Sequence, residues 1–200
     1  MYRHYVKRIL DLVMSLVGLV ALSPVLILIA IAIKLTSPGP ALFRQERSGL
    51  HRKHFMIYKF RTMQVDTPKN RATYLLKNPH SHITPFGQFL RRTSLDELPQ
   101  LLNILRGEMS FVGPRPVVYT EFNLIDERDK YGANDVLPGL TGLAQLNGRD
   151  RVRFKEKARM DGEYAANITF LGDLKLVLRT IASVFSSRDI VEGRQDNDKK

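Results

Sequence analysis

Residues 12–33 form a run of 22 positions without a charge, bounded by Asp11 and Lys34 and interrupted at its centre by Ser23-Pro24. As a continuous helix the run would extend about 33 Å, enough for a bilayer core of about 30 Å. A proline inside a helix lacks the amide hydrogen and clashes with the carbonyl four residues back, here that of Val20, at a cost of about 3 kcal/mol. A bend is therefore expected at Ser23-Pro24, with the Ser23 hydroxyl or a neighbouring element satisfying the freed carbonyl. Positive charge flanks both ends, with Arg3, Lys7 and Arg8 before the run and Lys34, Arg44 and Arg47 after it. Basic residues mark the cytoplasmic side, so a bent helix that enters and leaves by one face satisfies both observations. A kinked ordinary span stays open. A cleaved signal peptide, cut after Ala21-Leu22-Ser23, fits less well, because Pro24 would follow the cut and nine apolar-run residues would remain beyond it. No other stretch is long and apolar enough to span, which excludes a polytopic transporter.

The remaining length suits one domain with its own core. The chain has no cysteine, which excludes disulfide frameworks, zinc-thiolate sites and thiol nucleophiles. The net charge of +11 is unevenly placed. Between positions 44 and 71, eight basic residues meet only Glu46 and Asp66. Such a block attracts nucleic acid, anionic lipid or a phosphorylated substrate. A solvated basic face is the plain alternative.

Ser37-Pro38-Gly39-Pro40 stops the hydrophobic helix. Strand-like runs at 41–45 and 55–60, joined by a turn at Ser48-Gly49 and the basic residues after it, predict a β-hairpin. The polar segment 64–82 holds room for a short helix around 71–77. Leu95, Leu98, Leu101, Leu102 and Leu105 predict a helix after Ser94, closed by Gly107. Residues 117–131 read as an exposed helix and 138–149 as a loop. A last helix is expected near 170–186, its apolar face formed by Leu174, Val177, Leu178, Ile181, Val184 and Phe185. Such a face packs on a core or lies flat in a membrane interface. Residues 188–200 are charged and expected to be disordered. The chain thus divides into a membrane helix at 1–36, a domain at 37–187, which is the catalytic one if the chain is an enzyme, and a tail at 188–200.

Three stretches carry candidate chemistry. In Arg91-Arg92-Thr93-Ser94-Leu95-Asp96-Glu97, Ser94 and Glu97 match a capping box, and Asp96 falls in the first helical turn. The same acids, beside guanidiniums and a helix N-terminus, suit Mg²⁺ and a phosphate. An aspartate can also attack phosphorus to make an acyl phosphate, with cations offsetting the approach of anion to anion. In Gly113-Pro114-Arg115-Pro116, two prolines restrict the backbone around Arg115. That suits bidentate phosphate binding, or a rigid turn whose arginine makes a structural ion pair. In Pro138-Gly139-Leu140-Thr141-Gly142, followed by Gly148-Arg149, the glycines would let backbone amides approach phosphate, or simply form a surface loop. His80 and His82 lack a third metal ligand at a convincing spacing, and Asp196-Asn197-Asp198 lies in the tail.

Lys59-Phe60-Arg61-Thr62-Met63, Ser94-Leu95-Asp96-Glu97-Leu98-Pro99-Gln100-Leu101, Met109-Ser110-Phe111-Val112-Gly113-Pro114-Arg115-Pro116 and Pro138-Gly139-Leu140-Thr141-Gly142 occur in this order. Together they closely resemble the bacterial sugar transferase family, the small monotopic phosphoglycosyl transferases, over residues 1 to about 186. The resemblance implies an α+β, predominantly helical fold. Its parts would be an N-terminal re-entrant membrane helix broken at Ser23-Pro24, a β-hairpin, and interfacial amphipathic helices around a small catalytic domain. It implies that Asp96 is the nucleophile and Glu97 its partner, the two also holding Mg²⁺. Asp96 would attack a UDP-sugar, release UMP and keep the phosphosugar until polyprenyl (undecaprenyl) phosphate collects it. Lys59, Arg92, Arg115 and Arg149 match basic positions that face phosphates, and Asp161 and Asp173 match acidic positions of the C-terminal part. The enzyme would sit monotopically in the bacterial inner membrane, with its active site cytoplasmic, and begin assembly of a polysaccharide, lipopolysaccharide or other glycoconjugate. Leu137 stands where many relatives carry Arg, and the 64–82 segment differs in length and sequence; both differences bear on the sugar. The N-terminus is expected to lack the extra spans of larger relatives. The rival expectation is a membrane-tethered basic protein that binds polyanions without turnover. Nucleic acid is not expected as a partner, since no module with stacking aromatics is visible.

Overall fold

The computed structural model describes residues 1–68, 79–148 and 153–186. The helix expected around 71–77, Arg149 and the tail at 188–200 lie outside them. A π-type turn, Tyr2–Val6, leads into α1 (Lys7–Ala21) and α2 (Ser23–Thr36). Strands β1 (Leu42–Ser48) and β2 (His54–Phe60) follow, then α3 (Pro85–Arg92), a 3-10 segment (Leu95–Gln100) and α4 (Leu101–Arg106). The order closes with β3 (Ser110–Val112), α5 (Phe122–Asp129), β4 (Gly139–Thr141), α6 (Leu143–Leu146), α7 (Phe154–Ala166) and α8 (Phe170–Ser186). The fold is α+β and mostly helical, with two small two-stranded sheets among the described residues.

The bend falls where proline chemistry requires it. Axes α1 and α2 diverge by 61° across Leu22. Pro24 sits in the first turn of α2, where its missing amide hydrogen costs nothing. The Ser23 hydroxyl donates to the Val20 carbonyl at 2.8 Å, so the freed acceptor is satisfied locally. No single described helix is long and apolar enough to cross a membrane; the bent pair passes that test only together.

One side of this pair is fastened to the rest of the chain. The Phe111 amide donates to buried Asp11 at 3.0 Å. Arg8 donates to the Ile104 and Leu105 carbonyls at 2.7 and 3.1 Å, satisfying the C-terminal end of α4. Gly107 then stops α4 at φ 83°, as its position in the sequence predicts. Lys7 Nζ and Tyr2 OH both donate to Asp173 Oδ2, at 2.6 and 2.7 Å, and Tyr164 OH donates to Oδ1 at 2.9 Å. Beyond α2, the Arg61 guanidinium donates to the Ser37 carbonyl at 3.0 Å and the Pro38 carbonyl at 2.5 Å. The opposite side is bare: Leu16, Val17 and Val20 of α1 and Ile27, Leu28 and Ile31 of α2 are exposed.

The β1–β2 hairpin is antiparallel, pairing Phe43 with Lys59 and Gln45 with Ile57. Two expectations need correction and one needs refinement. Residues 138–149 are not simply loop: β4 pairs in parallel with β3, Ser110 opposite Gly139 and Val112 opposite Thr141, and α6 follows. Helix α5 is shorter than 117–131 and exposed on one side only, because Leu124, Ile125 and Arg128 are buried on the side packed against α7. The apolar face of α8 is split. Asp173 and Leu176 are buried, Val177 is half-buried, and Leu174, Leu178 and Ile181 face outward.

Asp173 joins the start of α1 to both α7 and α8. Removing one partner of a buried ion pair leaves an uncompensated charge, so Asp173→Ala is expected to lose about 3 kcal/mol of stability. Thermal unfolding in detergent checks this; a variant that melts with the parent would show the tie to be dispensable.

Candidate active site

The site begins at an unusual turn. Thr84 caps α3 by accepting from the Gly87 amide at 3.0 Å, and that fixes the phase of the helix. Gly87, Leu90 and Arg91 then turn inward while Arg92 is exposed. The capping box expected at Ser94 does not form. Ser94 adopts a left-handed φ of 56° with no side-chain cap, and the chain continues as 3-10 helix through Pro99, which has no amide hydrogen to give. Asp96 is thereby turned inward to 8% exposure.

Glu97, freed from capping, is held elsewhere. Its Oε1 accepts from Lys59 Nζ at 2.6 Å and from the Arg115 guanidinium at 2.8 Å. Lys59 comes from β2 and Arg115 from the connection after β3, so three segments meet on one carboxylate oxygen. The backbone under Arg115 is fixed in turn. Pro114 O accepts from the Gly139 amide at 2.8 Å, Arg115 O from Arg128 at 3.0 Å and Pro116 O from Arg47 at 3.0 Å. This accounts for the glycines of Pro138-Gly139-Leu140-Thr141-Gly142. A Cβ on Gly139 would lie 2.1 Å from the Gly113 nitrogen. The glycines serve close strand contact, and the Gly139 amide is already used.

A cavity of about 980 Å³ opens over this cluster, lined by Lys59, Arg91, Asp96, Glu97, Arg115 and Arg128 among others. Of the residues singled out in the sequence, Asp96, Glu97, Lys59 and Arg115 come together. Asp161 reaches the cavity wall but is bound by Arg128 through Nε at 2.9 Å and a terminal nitrogen at 2.5 Å. Asp173 lies apart, in the tie to α1. Arg92 faces outward, and Arg91 stands on the wall instead, its Nε donating to Thr62 at 2.7 Å. Arg149 is outside the described residues. Sequence reasoning missed Arg47 and Arg128; their signal is a contact to a distant carbonyl, which no local pattern carries.

The two adjacent carboxylates are treated oppositely. Burial lifts Asp96, and Glu97 adds to the lift; Lys59, Arg91 and Arg115 oppose it, and the carboxyl ends raised to about 6. Burial would lift Glu97 too, but Arg115 and Lys59, by charge and hydrogen bond, hold it well below the usual carboxylate range. No group of three or more metal-ligating side chains exists among the described residues, so an all-protein metal cage is not built. Two carboxylates facing a cavity do fit Mg²⁺ carried on substrate phosphates, the arrangement that ion favours.

An aspartate of raised basicity in a cation-lined cavity suits chemistry on a phosphorylated substrate. Comparison with known proteins gives the same direction. The family model for bacterial sugar transferases matches residues 2–187. A UDP-glucose:undecaprenyl-phosphate glucose-1-phosphate transferase of Caulobacter vibrioides is 42% identical over 190 residues, covering 90% of this chain and 70% of that one. The exopolysaccharide production protein ExoY of Sinorhizobium fredii is 37% identical, covering 91% of this chain and 86% of its own. The uncharacterized sugar transferase EpsL of Bacillus subtilis is 37% identical, covering 92% and 89%. The chain belongs to the bacterial sugar transferase family and is a phosphoglycosyl transferase. Membership in an enzyme family sets aside the rival of a binding protein without turnover.

The raised Asp96 has a stability consequence. Its carboxyl rises from 3.8 to about 6 on folding, so the folded chain holds the proton more tightly than the unfolded one. Stability therefore falls as pH rises through that window, and the penalty stands in full above it. Asp96→Asn cannot ionise and is expected to melt higher than the parent at about pH 7.5, with the difference closing near pH 4. An equal or lower melting temperature at the higher pH would contradict the buried-charge account.

Proposed function

We propose that the chain moves a phosphosugar from a UDP-sugar to polyprenyl phosphate through a covalent intermediate on Asp96. The observation that carries this reading is the contrast between the carboxylates: Glu97 is neutralised by two cations, while its neighbour is buried beside them and made more basic. A more basic carboxylate is the better nucleophile, and the surrounding cations lower the repulsion it meets at phosphate.

An Asp96 carboxylate oxygen attacks the phosphorus bearing the sugar. The bond from that phosphorus to the bridging oxygen breaks, and UMP leaves with that oxygen. The sugar phosphate is then held as an acyl phosphate on Asp96. A phosphate oxygen of the polyprenyl carrier attacks the same phosphorus, the acyl–phosphate bond breaks, and the Asp96 carboxylate is restored with polyprenyl diphosphate sugar as product. Lys59 and Arg115 keep Glu97 ionised and in place, and Arg91 and Arg115 add positive charge around Asp96. Asp96 and Glu97 would hold Mg²⁺, and the ion would supply charge neutralisation for the donor diphosphate.

The bare apolar sides of α1 and α2 and the outward row Leu174, Leu178 and Ile181 of α8 support a monotopic seat in the bacterial inner membrane. In that seat α1 and α2 form a re-entrant pair, α8 lies in the interface, and the cavity faces the cytoplasm, where nucleotide sugars are made. UDP-glucose is the first donor to test, since the relative from Caulobacter vibrioides is named for it. The kinship with an exopolysaccharide production protein supports a first membrane step of polysaccharide assembly.

Donor alone is expected to release UMP in one burst, equal to the sugar-phosphate adduct found on Asp96 by mass spectrometry. Chelation of Mg²⁺ and Asp96→Asn should each abolish the burst; a full burst in the variant would refute the covalent route. The burst rate is expected to fall as pH drops through about 6, because the carboxyl then carries its proton. For topology, the cysteine-free chain allows single probes: Arg3→Cys and Lys53→Cys should both react with an impermeant maleimide from the cytoplasmic side. Labelling of position 3 from the opposite side would make the helix pair a span.

A further inference from the structure

On α2, positions 27, 31 and 34 are four and three residues apart and so share one face. Ile27 and Ile31 are exposed along it, and the face ends at Lys34, which is itself exposed yet stands on the wall of the catalytic cavity. A single helix face thus leads from apolar surface to a cation at the cavity mouth. Arg44 of β1 also lines the cavity, its guanidinium 5.4 Å from the centroid of the Tyr58 ring. Between the two in sequence, the wall is continued by Pro40, Ala41, Leu42 and Phe43, none of which carries a charge.

Other cations that line the cavity are committed, among them Arg47 to the Pro116 carbonyl and Arg115 to Glu97. Lys59 is held by Glu97, Arg61 by the Ser37 and Pro38 carbonyls, Arg91 by Thr62 and Arg128 by Asp161. Lys34 and Arg44 enter no hydrogen bond or ion pair among the described residues. Two positive charges lining one cavity, without an acidic partner among the described residues, favour a ligand of opposite charge. The apolar track that ends at Lys34 selects which ligand: a phosphate that arrives attached to a long hydrocarbon chain, with the chain along Ile27 and Ile31.

We infer that Lys34 and Arg44 receive the phosphate of the isoprenoid carrier before it reaches Asp96. The inference rests on the transfer reading proposed above and assigns the carrier to the α2 end of the cavity. The charged pair engages the phosphate monoester, and the helix face lies along the tail. Arg61 holds the end of α2 to the hairpin, so the distance from Lys34 to the reaction centre is set by the fold.

The two half-reactions separate the outcomes. The full chain in nanodiscs of zwitterionic lipid is compared with Lys34→Ala, Arg44→Ala, the double variant and Lys34→Arg. The donor-only UMP burst never involves the carrier and is expected to keep its amplitude and rate. The KM for polyprenyl phosphate should rise about tenfold in each single alanine variant, the loss of one charge-assisted contact, and further in the double variant. Lys34→Arg should restore most of it. An unchanged carrier KM would overturn the inference, as would a donor burst slowed in step with transfer, which would give the pair to the nucleotide sugar. A second arm adds phosphatidylglycerol to the discs: inhibition as strong as that by a non-transferring carrier analogue would mean that the pair reads any anionic headgroup, and would also overturn it. If the parent shows no burst while the carrier KM still rises in the variants, the covalent route fails and this assignment stands.

Discussion

One carboxylate oxygen organises the site. Glu97 Oε1 takes a hydrogen bond from Lys59 on the hairpin and another from Arg115 on the connection that follows β3. Buried ion pairs add little net stability, because desolvation offsets most of the attraction. What this one supplies is registry, since hairpin, 3-10 segment and connection can satisfy it only in one arrangement. The arrangement leaves Asp96 within the field of the same cations while Glu97 takes their hydrogen bonds. The difference in basicity between two adjacent acids follows from that allocation.

Local chemistry made much of this fold readable in advance. The bend was legible because a proline in an apolar helix has few outcomes, and the hairpin because alternation and turn residues agree. Gly107 ends its helix for a reason contained in its own backbone. What escaped prediction is held by partners far along the chain. Glu97 looks like a capping residue until Lys59, 38 residues earlier, and Arg115, 18 residues later, are brought to it. The three-residue strand β4 has no pattern of its own, and its glycines look alike whether they admit phosphate or a neighbouring strand. Arg128 falls in the stretch read as an exposed helix, and its burial depends on Asp161, 33 positions away. Arg91 and Arg92 could not be told apart until Thr84 set the phase of α3. The apolar pattern of α8 was correct, yet one pattern serves a core and an interface equally, and the helix uses part of it for each.

Two surfaces of opposite character are built from neighbouring elements. Helices α1, α2 and α8 show hydrocarbon outward, while the hairpin and the turns after α3 and β3 line a cationic cavity. Such a division suits a reaction between one substrate dissolved in water and one dissolved in lipid. The ties that keep the surfaces in fixed relation are short and polar: Asp11 to the Phe111 amide, Arg8 to the end of α4, and Asp173 to the start of α1.

The clasp of Arg61 on the Ser37 and Pro38 carbonyls has a mechanical consequence. The arginine belongs to the segment directly after β2 and lines the cavity, so the end of α2 and the chamber wall move as one body. Seated in lipid as proposed, the helix pair acts as a depth gauge: the thickness of the host leaflet fixes how high the chamber rides above the hydrocarbon. The depth of that seat would then reach the chamber wall through a single guanidinium.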